Sequence, residues 1–476
     1  MKKEKTYHLA IDLGATSGRT ILAAFDGTKV EMEELTRFSH PMLPVGGLLF
    51  WNFSELYHQV LLGLRAAAEK VAEYGAGLAS VGIDSWGCDV AYFRSDGTLS
   101  GLPLCYRNSS TDGAVARFAE KMPLDEVYSR TGIQFMDFNT LFQLDTVRRN
   151  NPAILDSADK ILFIPDALAY MLTGNAVTEF TVASTSQMLN QATGDFDEEL
   201  LALIGLDRDK FGPMVQPGTV IGTLSAQARE FTGLGAIPVV AVAGHDTASA
   251  VVGIPVEGDD YAYLSCGTWS LLGIESPTPI VNAKSREYNF TNEGGIDGTT
   301  RFLKNICGLW LLEGCRREWG SKAPGIADLA AASLESTCDS IIDPDDASFA
   351  HPDSMTAAIC AFCERTSQPV PVSYGDFVRV IYRSLARRYK AVVDMLAEMS
   401  GKDISRLHVI GGGSQSAPLM QFAADELGIP VIAGPAESTV MGNVLLQLRA
   451  CGEADSLADM RKISIASNET KTYKSE

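Results

Sequence analysis

The sequence predicts an α/β protein built of two similar domains around a shared interdomain cleft. Three observations point there. Strand-like and helix-like hydrophobic patterns alternate along the chain. A strand followed by a Gly and Thr/Ser turn occurs at Asp12-Leu13-Gly14-Ala15-Thr16-Ser17-Gly18, and again about half the chain later at Leu264-Ser265-Cys266-Gly267-Thr268-Trp269-Ser270. The length of 476 residues, 46% of them hydrophobic and 21% charged, is enough for two or three buried cores. The interval between the turns is far too long for a solenoid repeat. It suits two domains, 1–250 and 251–476, that each bring one phosphate-facing turn.

The elements follow in order. Residues 7–13 read as a strand, the Gly/Ser turn follows, and 19–25 form a second strand that ends in the hairpin signal Asp26-Gly27. A helix over 54–73 leads to a strand at 79–84. The middle is mostly helical, at 111–121, 139–150 and 165–172. Apolar strands return at 237–243, before Gly244-His245-Asp246-Thr247, and at 261–265, before the second turn. A long amphipathic helix spans 376–399. Phe377, Ile381, Leu385, Val392 and Leu396 share one face, and Arg379, Arg383, Arg387 and Lys390 form a solvated opposite face. Strand 406–410 runs into Gly411-Gly412-Gly413, ahead of a helix at 416–427.

Composition removes several function classes. With 39 Lys+Arg against 59 Asp+Glu, the net charge is −20. Such a surface repels nucleic acid and anionic lipid, so neither is expected as a partner. Phosphate would have to be held locally, by backbone N–H groups, a few cations and metal. No apolar run approaches the roughly 18 residues that cross a bilayer, and the opening MKKEKTYHLAIDLG reaches Asp12 too soon for a signal peptide. Nine scattered cysteines, with Cys360-x-x-Cys363 lacking a second pair at zinc spacing, read as reduced thiols of a cytoplasmic protein.

Four segments carry candidate chemistry. In Asp12–Arg19, small residues let backbone N–H groups approach a phosphate. Thr16 and Ser17 add hydroxyls, Arg19 adds a cation, and Asp12 at the strand end can hold Mg²⁺ directly or through water. No GKS or GKT follows, and a strand rather than a helix comes next, which excludes a Walker A loop and a dinucleotide fingerprint. An ordinary hairpin turn would explain the glycines but not the Asp, Thr, Ser and Arg together. Ile83–Asp89 ends a strand in polar residues around Trp86-Gly87. Either an exposed Trp face meets a sugar there, or the Trp is buried beneath the turn. At Gly244–Thr247, Asp246 is placed to receive a hydroxyl proton in phosphoryl transfer, with His245 and Thr247 as polar neighbours. Capping of the next helix is the competing role for Asp246. Finally, Gly411–Gln415 removes side chains where a purine or ribose could lie.

Together DLGATSGR (12–19), the duplicated Gly-Thr turn, HDTAS (245–249) and GGGSQS (411–416) resemble the FGGY carbohydrate kinases, of the actin, Hsp70 and sugar kinase superfamily. Further strings keep the family's order: IDSWGCDV (83–90), GLPLCYRN (101–108), GIQFMDFNTLFQL (132–144), YLSCGTWSLLG (263–273), TNEGG (291–295) and LKNICGLWLL (303–312). The similarity runs from about residue 7 to about 450. It implies two ribonuclease-H-like domains, the first on the sugar side and the second on the nucleotide side. It implies Mg²⁺ and ATP, and phosphorylation of a ketose, L-rhamnulose, at its 1-hydroxyl in L-rhamnose catabolism. L-Fuculose and L-xylulose stay open as alternatives, as does an actin-like ATPase with a protein partner. By the same resemblance Asp246 is the catalytic base. Ala15, Thr16, Ser17, Gly18, Arg19, Thr268, Gly412 and Gly413 contact ATP, joined by Glu313 where the pattern carries Gln. Gly87, His245, Asp246, Thr247 and Asn305 bind the ketose. Asn108 and Ser110 depart from the YRDxRT form, which loses an Arg near the sugar.

Overall fold

In the computed structural model, which describes residues 4–350 and 352–475, the chain forms two compact units. They do not follow a single cut. The first holds Met1–Val256 and takes back Ser276–Phe302 and Thr439–Ser467 from later in the chain. The second holds Glu257–Glu275, Leu303–Ser438 and Asn468–Glu476.

The first unit is organised by a six-stranded sheet. Its strands are β1 (Thr6–Leu13), β2 (Ser17–Phe25), β3 (Val30–Ser39), β4 (Leu78–Ser85), β5 (Thr219–Thr223) and β6 (Pro238–Ala241), in the order β5-β6-β4-β1-β2-β3. The β1–β2–β3 run is antiparallel, whereas β1 pairs parallel with β4, and β4 with β6. Strand periodicity sorts the side chains. Leu9, Ile11 and Leu13 face one apolar cluster, which contains Phe53, Leu56, Val60 and Leu64 of helix α1 (Phe53–Glu73). Ala10 faces the other, which contains Val440, Met441, Val444 and Leu445 of a helix near the chain's end. Helix α2 (Asp246–Val252) follows β6 after a short turn.

The second sheet repeats this plan. Its strands are β7 (Tyr261–Cys266), β8 (Trp269–Ser276), β9 (Thr291–Gly294), β10 (Thr300–Cys307), β11 (Arg406–Ile410), β12 (Val431–Ala433) and β13 (Lys471–Tyr473), in the order β9-β10-β8-β7-β11-β12-β13. As β1 does, β7 pairs antiparallel with the strand after its turn and parallel with the later strand β11. Helix α3 (Trp310–Trp319) follows β10. Helix α4 (Tyr374–Ser400) opens with a Ser373–Asp376 capping box and stops at Gly401 in the left-handed conformation. Its predicted apolar stripe is buried throughout. Helix α5 (Ser438–Ala450) returns the chain to the first unit from Thr439 onward.

The elements named from sequence hold to within a few residues except for one helix, and strands β3, β5, β8, β9, β10, β12 and β13 were not foreseen. The helix expected at 111–121 is a 3-10 turn, Ser109–Thr111, followed by a five-residue helix, Ala114–Phe118. The edge strands β3 and β5 had no distinctive apolar pattern, because they are largely solvent-facing. All nine cysteines are free, and no described helix is long and apolar enough to cross a membrane.

Candidate active site

In the first unit, three carboxylates gather where β1, β4 and α2 meet. Asp12 and Asp84 sit opposite each other in the parallel β1–β4 register. Arg19 faces Asp12 across the hairpin and donates to its Oδ2 from Nε (2.9 Å) and Nη2 (2.7 Å). Asp84 is sealed from solvent, and Asn443 of α5 donates to its Oδ2 at 2.5 Å. Burial, reinforced by the neighbouring charge of Asp12, holds its pKa well above the usual carboxylate range. Asp246 is the first residue of α2, directly after His245, whose position is tied to β4 by a bridge to Ser85. Burial raises the pKa of Asp246, with His245 opposing and Asp12 adding to the rise. Its side chain still keeps 32% of its surface open, unlike Asp84.

Asp246 has no capping duty. His245 occupies the N-cap position of α2, and no side chain caps that end. Thr247 Oγ1 donates to Asp246 Oδ1 at 3.1 Å. The loop that delivers both residues is held from behind by Glu179, whose carboxylate accepts from the backbone N–H groups of Gly244 (2.9 Å), Thr181 and Val182. A partly open, ionisable group on such a fixed backbone is what a proton acceptor requires.

The first turn has a divided structure. Gly14 N–H closes it on the Ser17 carbonyl, and His40 packs against the Gly14 carbonyl through Nε2 (2.7 Å). Thr16 is exposed, and Ala15 and Ser17 are half-buried. Gly18 is not open to a ligand: a Cβ there would lie 2.4 Å from the Phe38 ring, so this glycine serves packing. In the second unit, Thr268 Oγ1 donates to exposed Glu313 Oε1 on α3 (3.0 Å). Gly412 has open space where a side chain would stand. Gly413 does not, since its Cβ would lie 2.2 Å from the Cys266 sulfur. Asn305 is half-buried on β10.

Two sequence alternatives are settled by burial. Trp86 is only 6% exposed, stacked among Trp51 and His40, so it is a core residue and not a sugar platform. Its indole N–H and that of Trp51 both donate to Asp89 Oδ2, at 2.9 and 2.6 Å. Burial lifts Asp89 to a pKa of about 6, against these bonds and that from Gln143. Gly87 lies under Thr185, with only 2.9 Å between its would-be Cβ and that hydroxyl. Asn108 caps the 3-10 turn, accepting from Ser110 N–H at 3.1 Å and donating to the Leu49 carbonyl. Its side chain is thus turned into the protein.

Sequence reasoning missed four residues beside this site: Asp84, Asn443, Glu293 and Arg301. Asp84 could have been singled out as a second strand-end carboxylate, which the register places directly opposite Asp12. The other three lie 47 to 197 positions from Asp246 in the sequence, and only tertiary folding brings them in.

Profiles of known families match both halves of the chain. The N-terminal domain of the FGGY family of carbohydrate kinases matches residues 7–253, and the C-terminal domain matches residues 262–451. A rhamnulokinase from Bacteroides thetaiotaomicron is 49% identical over 469 residues, 98% of this chain and 96% of that one. Among solved structures, a gluconate kinase from Lactobacillus acidophilus superposes with a TM-score of 0.83 at 15% identity. A ligand-bound xylulose kinase from the same organism gives 0.82 at 15%. In both, the match covers 99% of this chain and 94% of the other. At such identities these two show a common fold only.

Proposed function

Since the chain belongs to the FGGY family of carbohydrate kinases, we propose that it transfers the γ-phosphoryl group of ATP to the 1-hydroxyl of L-rhamnulose. The products are L-rhamnulose 1-phosphate and ADP. Asp246 carries the reaction half of this reading: it is ionisable, partly open, free of capping work and fixed by the Glu179-anchored loop. It accepts the hydroxyl proton as the ketose oxygen attacks the γ-phosphorus and the bond to ADP breaks, with phosphoryl charge balanced by nearby donors. The sugar's identity rests on the similarity to the Bacteroides rhamnulokinase.

His245, Thr247, Gly87 and Asn305 serve the ketose in this proposal. Ala15–Arg19, Thr268, Glu313, Gly412 and Gly413 serve the nucleotide, Gly18 and Gly413 by shaping the backbone. In this proposal the half before residue 250 carries most of the sugar-side residues together with the first phosphate turn, and the half after it carries most of the nucleotide-side residues. Mg²⁺ fits the first unit: burial raises the pKa values of Asp84 and Asp246, and the neighbouring charge of Asp12 adds to both, a negative charge that a divalent ion would relieve. Among the described residues no set of three His, Cys, Asp or Glu side chains encloses a metal alone. Asp12 would therefore hold an ion that arrives with the nucleotide phosphates, and the ion would supply charge neutralisation there. Arg19 keeps Asp12 oriented for that task.

Coupled ADP release across a panel of ketoses tests the proposal. L-Rhamnulose should give the highest specificity constant. A higher value for L-fuculose or L-xylulose would reassign the sugar and leave the kinase chemistry standing. No stimulation by any ketose would favour an ATPase that acts with a protein partner.

A further inference from the structure

Behind His245 lies a buried ion pair that the proposed reaction does not use. Arg301 is 1% exposed and Glu293 5% exposed, on strands β10 and β9. Their charges meet at 3.1 Å, and Arg301 Nε is fixed by donation to the Gly294 carbonyl at 2.9 Å. Burying two charges has a large desolvation cost, so a pair retained this close to a reacting group calls for a reason beyond stability. Burial alone would raise the pKa of Glu293. Arg301, the strongest charge beside it, carries it below the usual range instead, so the pair stays ionised.

The arrangement around the imidazole is directional. Arg301 Nη2 is hydrogen-bonded to His245 Nδ1 at 3.3 Å. A guanidinium has only donors, so this contact is a hydrogen bond when Nδ1 presents its lone pair and the ring proton sits on Nε2. Glu293 Oε2 lies 3.3 Å from the same Nδ1, the acceptor that Nδ1 would meet in the opposite tautomer. On the other side of the ring, Nε2 is 3.5 Å from Asp246 Oδ1, the oxygen that already accepts from Thr247. Nε2 thus faces the same carboxylate oxygen that accepts from Thr247 Oγ1.

We propose that Glu293 and Arg301 are positioning residues that lock His245 in its Nε2–H tautomer, so that Asp246 Oδ1 is occupied by donors and Oδ2 is left as the basic oxygen. The inference rests on Asp246 being the base. Arg301 sets the tautomer by donation, and Glu293 holds Arg301 in place and neutralises it, so that the imidazole faces a balanced pair.

The test is ¹⁵N NMR of histidine-labelled protein, with the His245 signals assigned by their loss in His245→Gln. The wild-type ring should show a protonated Nε2 and a bare Nδ1. A protonated Nδ1, the state in which Glu293 would be the partner, overturns the proposal. The double variant Glu293→Gln/Arg301→Met removes both charges together, which avoids stranding one of them in the interior. Its His245 should lose the single fixed tautomer. Its kcat/KM for the ketose should fall by about 10- to 100-fold, the scale of a misaligned reacting group, with the KM for ATP unchanged. An unaltered tautomer in the folded double variant, or an equal loss toward both substrates, also overturns it. Should the double variant fail to fold, the wild-type spectrum still decides. The tautomer is read without turnover, so a failure of the base assignment, visible as near-normal turnover in Asp246→Asn, is distinguishable from a failure of this inference.

Discussion

The two sheets share a plan and differ in chemistry at matching positions. In each, a strand turns back on itself through a Gly-containing loop and pairs on its other side with a later parallel strand. The first hairpin closes at Leu13 opposite Gly18, the second at Cys266 opposite Ser270. Asp12 therefore matches Ser265. Their parallel-strand partners are Asp84 and Ile410. One sheet places two carboxylates where the other places a hydroxyl and an aliphatic chain.

What backs each turn differs in the same sense. In the first unit a chain of donors runs from His8 Nδ1 to Ser80 Oγ (2.8 Å), to Gln447 Oε1 (2.7 Å), then through Gln447 Nε2 to Asn443 Oδ1 (2.7 Å), and from Asn443 Nδ2 to Asp84. In the second, Tyr389 of α4 meets Ser270 Oγ (2.8 Å) and the Cys266 sulfur (3.8 Å), with no carboxylate at the end. The same backbone geometry thus supports a strand-end anionic centre with buried donors in one sheet and a turn without strand-end carboxylates in the other. Charge at a strand end, more than fold, separates the two turns.

Breaking the anionic centre should have the largest effect. Asp246→Asn should lower turnover by roughly 10²–10⁴-fold, the usual scale for a general base, while ATP and ketose still bind in calorimetry. Near-normal turnover in the folded variant would remove Asp246 from the mechanism.

The donor chain makes its own prediction about stability. Burial lowers the pKa of His8 to about 4, whereas the unfolded chain titrates near its ordinary value of about 6.5. Between those values the unfolded state binds more protons, so stability should fall as pH drops from 6.5 to 4, by up to about 3 kcal/mol from this residue. Denaturant unfolding of wild type and His8→Gln across that window checks it. The variant should lose this part of the slope, and an identical slope in both would put the acid sensitivity elsewhere.

A direct contrast of the turns comes next. Arg19→Ala removes a charged donor, worth about 1.5–3 kcal/mol, so kcat/KM for ATP should fall roughly 10- to 100-fold. Thr268→Ala removes a neutral hydroxyl, worth about 0.5–1.5 kcal/mol, and should cost roughly two- to tenfold. Steady-state kinetics with each substrate varied separates the outcomes. A larger loss at Thr268 would reverse the ranking of the two units.

The smallest effect is expected at Glu313. Glu313→Gln keeps an acceptor for Thr268 but removes a negative charge from the nucleotide side. The KM for ATP should drop about two- to threefold, as befits an exposed charge worth less than about 1 kcal/mol. A rise instead would mean that the carboxylate itself takes part in binding.

Local pattern alone was enough to place the central strands and several long helices, and to single out the segments proposed to carry the chemistry. Alternation marked β1, β4, β6 and β7, the stripe of Phe377, Ile381 and Leu385 marked α4, and strand-end polar residues marked Asp12 and Asp246. These signals are legible because strand period, helix period and turn residues depend on neighbours a few positions away. Tertiary structure decided what depends on distant chain. Trp86 looked equally able to face a sugar or fill a core, and only Trp51 and His40, brought in by folding, bury it. Gly18 and Gly413 resembled ligand-facing glycines until Phe38 and Cys266 filled the space above them. The return of α5 to the first unit, and with it the Asn443 contact to Asp84, left no local mark, nor did the approach of Arg301 to His245. A hydrogen bond or an ion pair is fixed by distance in space, and the sequence alone sets that distance only along its own elements.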